Sequence, residues 1–248
     1  MSEVVMITGA IRGIGAATAA LAAERGYAVC VNYRSNGEAA EAVVAGIRAQ
    51  GGTAVAVQAD ISVESQVVRL FESCDRALGR VTALVNNAGV LERQQRVEAI
   101  DAGRLHRVFA TNVYGAFICA REAVLRMSTR RGGSGGAIVN VSSAAARLGA
   151  ANEYVDYAAS KGALDTLTIG LANEVAEEGI RVNGVRAGYI YTDMHASGGE
   201  PNRVDRVKAF VPLKRGGTAE EVAKAILWLL SSDSSFTTAS FIEVAGGR

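Results

Sequence analysis

The order strand-then-helix, repeated along nearly the whole chain, constrains this sequence more than any single motif in it. Val4–Thr8 is an apolar run of the kind expected for a strand buried on both faces. An alanine-rich helix from Gly13 to Glu24 follows, and Gly26 closes it. Ala28–Tyr33 is the next strand, Glu38 to Gln50 the next helix, stopped at Gly51-Gly52, and Ala54–Gln58 a third strand. Ser62 is placed to cap a helix running through Leu78, which Gly79 ends. Ala83–Asn86 and Ala137–Val141 read as strands, with a long helical region around Leu105 to Met127 between them. A helix from about Tyr157 to Glu177, the strand Arg181–Val185, the helix Glu220–Leu230 and the strand Phe241–Val244 complete the series. Repeated units of this kind predict a single α/β domain over residues 1–248, with a mainly parallel, doubly wound, seven-stranded sheet between helices. The polar stretch 193–212 breaks the alternation, contains Gly198-Gly199, and reads as a mobile loop segment that helps to shape a substrate site.

Composition narrows the function classes. The 248 residues suit one domain of this type, and a net charge of +1 gives no reason to expect nucleic acid or an anionic membrane as partner. No apolar run approaches the ~20 residues of a membrane span, and Met1-Ser2-Glu3 has neither the basic region nor the cleavage site of a secretory signal. Cys30, Cys74 and Cys119 lie in separate apolar or helical stretches, as reduced thiols of a cytoplasmic protein would. His106 and His195 are too far apart to suggest a metal site, and none is expected.

The first strand-to-helix junction reads Thr8-Gly9-Ala10-Ile11-Arg12-Gly13-Ile14-Gly15. Glycines there let the backbone turn sharply and approach a pyrophosphate, while the helix N-terminus offers free N–H groups and the positive end of its dipole. The second strand ends Asn32-Tyr33-Arg34-Ser35, without the acid that commonly holds the ribose hydroxyls of NAD. Arg34, with Arg12 in the glycine loop, suits a 2′-phosphate instead, so NADP(H) is expected over NAD(H).

Tyr157 and Lys161 stand four residues apart, on one face of a helix. A free tyrosine has a pKa of about 10, and bringing it to neutrality takes about 4 kcal/mol of differential stabilisation. One lysine in water hardly supplies that, so such a pair needs a largely closed site.

Taken together, Thr8-Gly9 through Gly13 and Gly15, Asp60, Asn86-Asn87-Ala88-Gly89, Asn112, Ser143, Tyr157 and Lys161 occur in the order found in the short-chain dehydrogenase/reductase family, which the chain resembles over nearly its whole length. The likeness is to members similar to bacterial 3-oxoacyl-carrier-protein reductases and glucose 1-dehydrogenases. It implies a Rossmann fold, a small-molecule carbonyl or alcohol substrate and a homotetramer, for which Phe241–Val244 and Glu220–Leu230 are plausible contact elements. It also implies catalytic roles for Asn112, Ser143, Tyr157 and Lys161. Ser143 would bond the substrate carbonyl, Tyr157 would exchange its proton, Lys161 would hold the nicotinamide ribose, and Asn112 would keep a water in a proton relay. Gly9, Arg12, Gly13, Ile14, Gly15 and Arg34 would hold the phosphates. Asp60 and Ile61 would line the adenine site, Asn87, Ala88 and Gly89 would pass along the ribose, and Ile190 and Thr192 would meet the carboxamide.

Several residues keep two readings. Asn86 reads as a structural tie, Asp60 also as a helix N-terminal acid, and Asn112 also as a helix-kink residue. The family's serine commonly lies one residue nearer the tyrosine than Ser143 does, so the extra residue falls in 144–156 and Ser142 is the alternative serine. Ala187-Gly188 stands where the family commonly has Pro-Gly, and Ala245 where it commonly has an acid before the final glycines. Arg147, Glu153 and His195 are polar residues near the substrate region that read as solvated surface. An NAD-linked sugar or polyol dehydrogenase is the alternative enzyme, and a non-catalytic nucleotide sensor the alternative of another class.

Overall fold

The computed structural model describes residues 3–248; Met1 and Ser2, on which the signal-sequence reading partly rests, lie outside the described residues. Seven strands form one sheet: β1 (Val4–Ile7), β2 (Ala28–Tyr33), β3 (Thr53–Gln58), β4 (Ala83–Asn86), β5 (Gly136–Ser143), β6 (Ile180–Ala187) and β7 (Phe241–Val244). Their order is β3-β2-β1-β4-β5-β6-β7, and every neighbouring pair is parallel. The helices are α1 (Gly13–Glu24), α2 (Gly37–Ala49), α3 (Glu64–Leu78), α4 (Ala102–Phe109), α5 (Ala116–Met127), α6 (Ala145–Leu148), α7 (Val155–Val175), α8 (Met194–Ser197), α9 (Arg203–Val207) and α10 (Ala219–Leu230).

Side chains alternate across the strands and so feed two cores. Val5 and Ile7 of β1 pack with Ala19 and Ala22 of α1, Val44 of α2 and Ile226 of α10 on one face. Val4 and Met6 pack with Phe71 of α3, Ile118 of α5 and Val175 of α7 on the other. Burial on both faces is why the strands read as apolar runs rather than alternating ones. The chain order reverses between β1 and β4, and such a switch point opens a crevice at the carboxyl ends of the strands.

Four details differ from the sequence reading. Ser62 does not cap α3, which starts at Glu64 after Val63. Instead its N–H and hydroxyl both donate to Asp60 Oδ1, at 2.9 and 2.6 Å, while Gln66 Oε1 accepts from the Asp60 N–H. The serine's hydroxyl thus donates to the acid in a local turn instead of accepting from a backbone N–H of the helix. The helical region before β5 is interrupted by a π-helical stretch, Ala110–Gly115, between α4 and α5. The helical stretch Ala102–Met127 also has the length and mean hydropathy, 1.2, of a membrane span, where no such run was read. Half of that window is buried within the protein, as befits a helix packed on a sheet. Finally, the segment 193–212 is not a plain loop but carries α8 and α9, with Arg203, Val204 and Val207 buried.

Candidate active site

The glycine loop is shaped by backbone conformation and by two asparagines. Gly9 and Gly13 have φ of +62° and +52°, where a side chain is strained. A Cβ on Gly15 would lie 2.5 Å from Asn87 Nδ2 and 2.6 Å from the Gly9 carbonyl, so only glycine fits at this helix start. Asn87 Nδ2 donates to the Thr8 and Gly9 carbonyls, and Asn32 Oδ1 accepts from the Gly9 N–H at 3.3 Å while Asn32 Nδ2 donates to the Ala59 carbonyl. Asn32 therefore ties the loop to β3, a role the sequence reading missed. Its only signal was a buried polar residue at the end of an apolar strand.

A groove of about 680 Å³ runs over this loop. Gly9, Arg12, Gly13, Ile14, Arg34, Asp60, Ile61, Asn87, Ala88, Gly89 and Thr192 all line it. Gly15 lies buried beneath it. Ile190, Tyr157 and Lys161 line the adjoining cavity instead. The free α1 N-terminus, the close approach of Gly15 to Asn87 and the Gly9 carbonyl, and the groove of about 680 Å³ fit a nicotinamide dinucleotide. Arg12 and Arg34 are exposed at its outer end, and neither forms an ion pair among the described residues.

The adjoining cavity, of about 300 Å³, shares Ile14, Asn87, Thr192 and Met194 with the groove. Tyr157, in the first turn of α7, meets Ser143, at the end of β5, there. Burial pushes the Tyr157 phenol up to about 12, against the opposing pull of the neighbouring Ser143 hydroxyl and the charge of Arg203. Lys161 lies one turn on, with Nζ 5.6 Å from the Tyr157 ring centre and donating to the Val141 carbonyl at 2.7 Å. Lys161 is 3% exposed, and burial pushes it down to about 8, although Asp165 pulls the other way. Each group is thus driven toward its neutral form. Ser142, one residue before Ser143, is buried with its hydroxyl on the Lys161 carbonyl at 3.4 Å, whereas Ser143 is partly open and accepts from the Ala145 N–H.

Asn112 sits in the π-helical stretch, a feature often found at functional sites. Its Oδ1 accepts from the Val90 N–H at 2.8 Å, and its Nδ2 donates to the Val90 carbonyl and to Ser160 Oγ. Ser160 in turn donates to the Tyr157 carbonyl at 2.7 Å. Asn112 is 1% exposed and borders neither cavity. Asn86 is a structural tie, donating to the Ala116 carbonyl and to Asn140 Oδ1, and Asn140 continues the buried chain to Thr168.

The stretch after Ser143 forms α6 and then a turn in which Gly149, Ala150 and Asn152 are all left-handed. Glu153 and His195, read as solvated surface, instead line the cavity; Arg147 is exposed and paired with Glu243. Ala187 and Ala245 come together, because Gly188 packs so closely on Ala245 that a Cβ would stand 2.6 Å from its Cα. Two further pairs were missed from sequence. Arg104 grips Asp156 with two hydrogen bonds of 2.7 and 3.0 Å, both residues buried. Arg203 of α9 pairs with Glu153. Among the described residues no three His, Cys, Asp or Glu side chains converge as a metal site requires.

The buried lysine gives one expected result. A fall from 10.5 to about 8 corresponds to about 3 kcal/mol of disfavour for the charged form in the fold. That cost is fully present below pH 8 and fades as pH rises to 10.5, where the unfolded chain too is neutral. Lys161→Met is expected to raise unfolding free energy at pH 7 by about 1–3 kcal/mol, with the gain closing by pH 10.5. Urea unfolding of both proteins across pH 6–11 measures it, and a variant less stable at pH 7 contradicts it.

A glycine-lined groove adjoining a cavity where half-buried Tyr157 and Ser143 stand beside buried Lys161 defines a nicotinamide-dependent oxidoreductase. Residues 9–248 match the family model described as enoyl-(acyl carrier protein) reductase. The chain is 60% identical over 245 residues, 99% of each protein, to the Escherichia coli (strain K12) protein called uncharacterized oxidoreductase YgfF. It is 35% identical over 247 residues to a 3-oxoacyl-[acyl-carrier-protein] reductase of Synechocystis sp., covering 99% of this chain and 96% of that one. A double-mutant form of a Serratia marcescens short-chain dehydrogenase/reductase superposes with a TM-score of 0.90 at 30% identity, covering 99% of this chain and 97% of that one. The chain belongs to the short-chain dehydrogenase/reductase family. It is an oxidoreductase acting between CH–OH groups and carbonyls with NAD(P).

Proposed function

We propose that this protein is an NADP(H)-dependent carbonyl reductase or secondary-alcohol dehydrogenase in which Tyr157 is the general acid and base. The meeting of Tyr157, Ser143 and Lys161 where the cavity joins the groove carries this reading. The bound nicotinamide supplies or accepts the hydride. Around it, Gly9, Gly13, Ile14, Gly15 and the α1 N-terminus hold the pyrophosphate, and Asp60 and Ile61 line the adenine. Asn87, Ala88 and Gly89 follow the ribose, and Ile190 and Thr192 face the carboxamide. Ser143 holds the substrate carbonyl by its hydroxyl. Tyr157, protonated at neutral pH, gives its proton to the nascent alkoxide, and Lys161 keeps a positive charge beside it. Asn112 fixes the backbone at Tyr157 through Ser160, and would keep the water of a proton relay behind the site. The segment 193–212 closes the substrate side. We further propose a cytoplasmic homotetramer, for which Trp228 on α10 and Phe236 before β7 offer exposed apolar contacts.

NADPH consumption across ketones, β-ketoesters, quinones and sugars tests the reading. Tight NADPH binding with no turnover of any of them would instead favour a nucleotide sensor. Two variants refine it. Arg34→Ala is expected to lower kcat/KM for NADPH about 10-fold or more while barely changing that for NADH, because a guanidinium–phosphate contact is worth about 1.5–3 kcal/mol. Native kinetics with a KM for NADH equal to or below that for NADPH overturn the preference. Ser143→Ala is expected to cost about 100-fold in kcat, by loss of one preorganised donor to the developing oxyanion. A larger loss for Ser142→Ala assigns the role to Ser142.

A further inference from the structure

Arg203 is the least explained charged residue of the cavity. It is 5% exposed, its guanidinium lies 4.8 Å from the Tyr154 ring centre and 5.4 Å from that of Tyr189, and all three residues line the cavity beside Tyr157. Nη2 donates to Glu153 Oε2 at 2.5 Å. Nη1 is buried with no hydrogen-bond partner; Glu200 Oε2, at 3.8 Å, is beyond reach. An arginine that served only to pin α9 to Glu153 would not leave half of its fork unused, since buried donors are nearly always satisfied. The same wall offers a complementary group. His195 Nε2 stands 3.1 Å from the Ile190 carbonyl, which places the ring proton there, and leaves Nδ1 as a buried acceptor without a partner. Burial and the Arg203 charge hold this imidazole below its usual pKa, so it stays neutral at pH 7. The charged lining comprises Lys161, Arg203 and Arg248 against Glu153 alone, a surplus of positive charge.

Resting on the carbonyl-reductase reading above, we propose that Arg203 is a specificity determinant that takes a carboxylate of the substrate on Nη1, so that the site serves oxo acids and their hydroxy-acid partners rather than neutral ketones or thioesters. The carboxylate fits because one of its oxygens accepts a charge-assisted hydrogen bond from the unpartnered Nη1, and the neutral His195 Nδ1 offers an acceptor to the hydroxyl of the hydroxy-acid partner. A cavity of about 300 Å³ suits a compact acid of this kind.

Matched free acids and methyl esters test it: acetoacetate, levulinate and pyruvate against their esters, with NADPH at pH 7. The free acid of at least one pair is expected to exceed its ester about 10- to 100-fold in kcat/KM, mainly through KM, as one charge-assisted hydrogen bond predicts. Arg203→Met should bring the acid-to-ester ratio near one, and Arg203→Lys should restore part of it, with circular dichroism confirming that each variant folds. Esters turned over as well as or better than acids in every pair overturn the inference and leave the reductase reading standing. An acid preference that survives in Arg203→Met, or in Arg203→Lys without any loss if the methionine variant fails to fold, assigns it to another residue and overturns the role of Arg203. No turnover of acids, esters or any other carbonyl defeats the reductase reading, and the inference with it.

Discussion

Tyr157→Phe is expected to lower kcat for carbonyl reduction by about 10³-fold, within the range that a positioned general acid contributes. The variant removes one oxygen from a ring whose packing is otherwise kept, so fold and cofactor affinity should change little. The Tyr157 hydroxyl lines the cavity beside Ser143 and Lys161, and Lys161 is engaged with the Val141 carbonyl. In the protein alone, burial favours the phenol over the phenolate, which suits the reductive direction at neutral pH. Steady-state rates of NADPH oxidation for native and variant proteins with one good substrate measure the effect. Reduction preserved within a few-fold in Tyr157→Phe contradicts the assigned role.

Arg104→Met is expected to cost about 3–5 kcal/mol of stability, because it strands a buried carboxylate. Arg104 and Asp156 are 3% and 4% exposed, and the guanidinium also donates to the Arg93 carbonyl and to Gln95 Oε1. Asp156 immediately precedes Tyr157, so the pair fixes the first turn of α7 and with it the position of the phenol. Thermal unfolding at pH 7 should show a Tm lower by about 6–20 °C, with a parallel loss in kcat. Combining the change with Asp156→Leu removes the stranded charge and should recover most of the stability but not the activity. A single variant that unfolds within about 1 kcal/mol of the native protein shows that the pair does little.

The parts of the site that were legible in the sequence are local ones. The glycine loop follows the first strand directly, and the positive φ of Gly9 and Gly13 marks a tight turn, although the side chains that crowd the loop are those of Asn87, Ala88 and Thr192. Tyr157 and Lys161 share a helix face by spacing alone. The strands were legible because burial on both faces leaves an apolar run with no polar alternation. What could not be read there depends on contacts between distant segments. Arg104 meets Asp156 across 52 residues, and Arg203 meets Glu153 across 50. Nothing in their immediate neighbours marks these arginines off from the solvated ones. Val204 and Val207, three apart and both buried, were the one hint that the segment 193–212 packs inward.

The sequence by itself determined the doubly wound sheet, the dinucleotide loop at its first turn and the tyrosine–lysine pair. All three rest on periodicity, glycine geometry and helical spacing, which act over a turn or two of chain. Only the tertiary structure showed that Ser142 is buried with its hydroxyl on the Lys161 carbonyl while Ser143 is half-buried, that Asn112 borders neither cavity, and that Arg203 is buried in the cavity wall. Those outcomes depend on which side of a strand faces solvent and on which charged groups packing removes from water, and both are properties of the assembled sheet and helices.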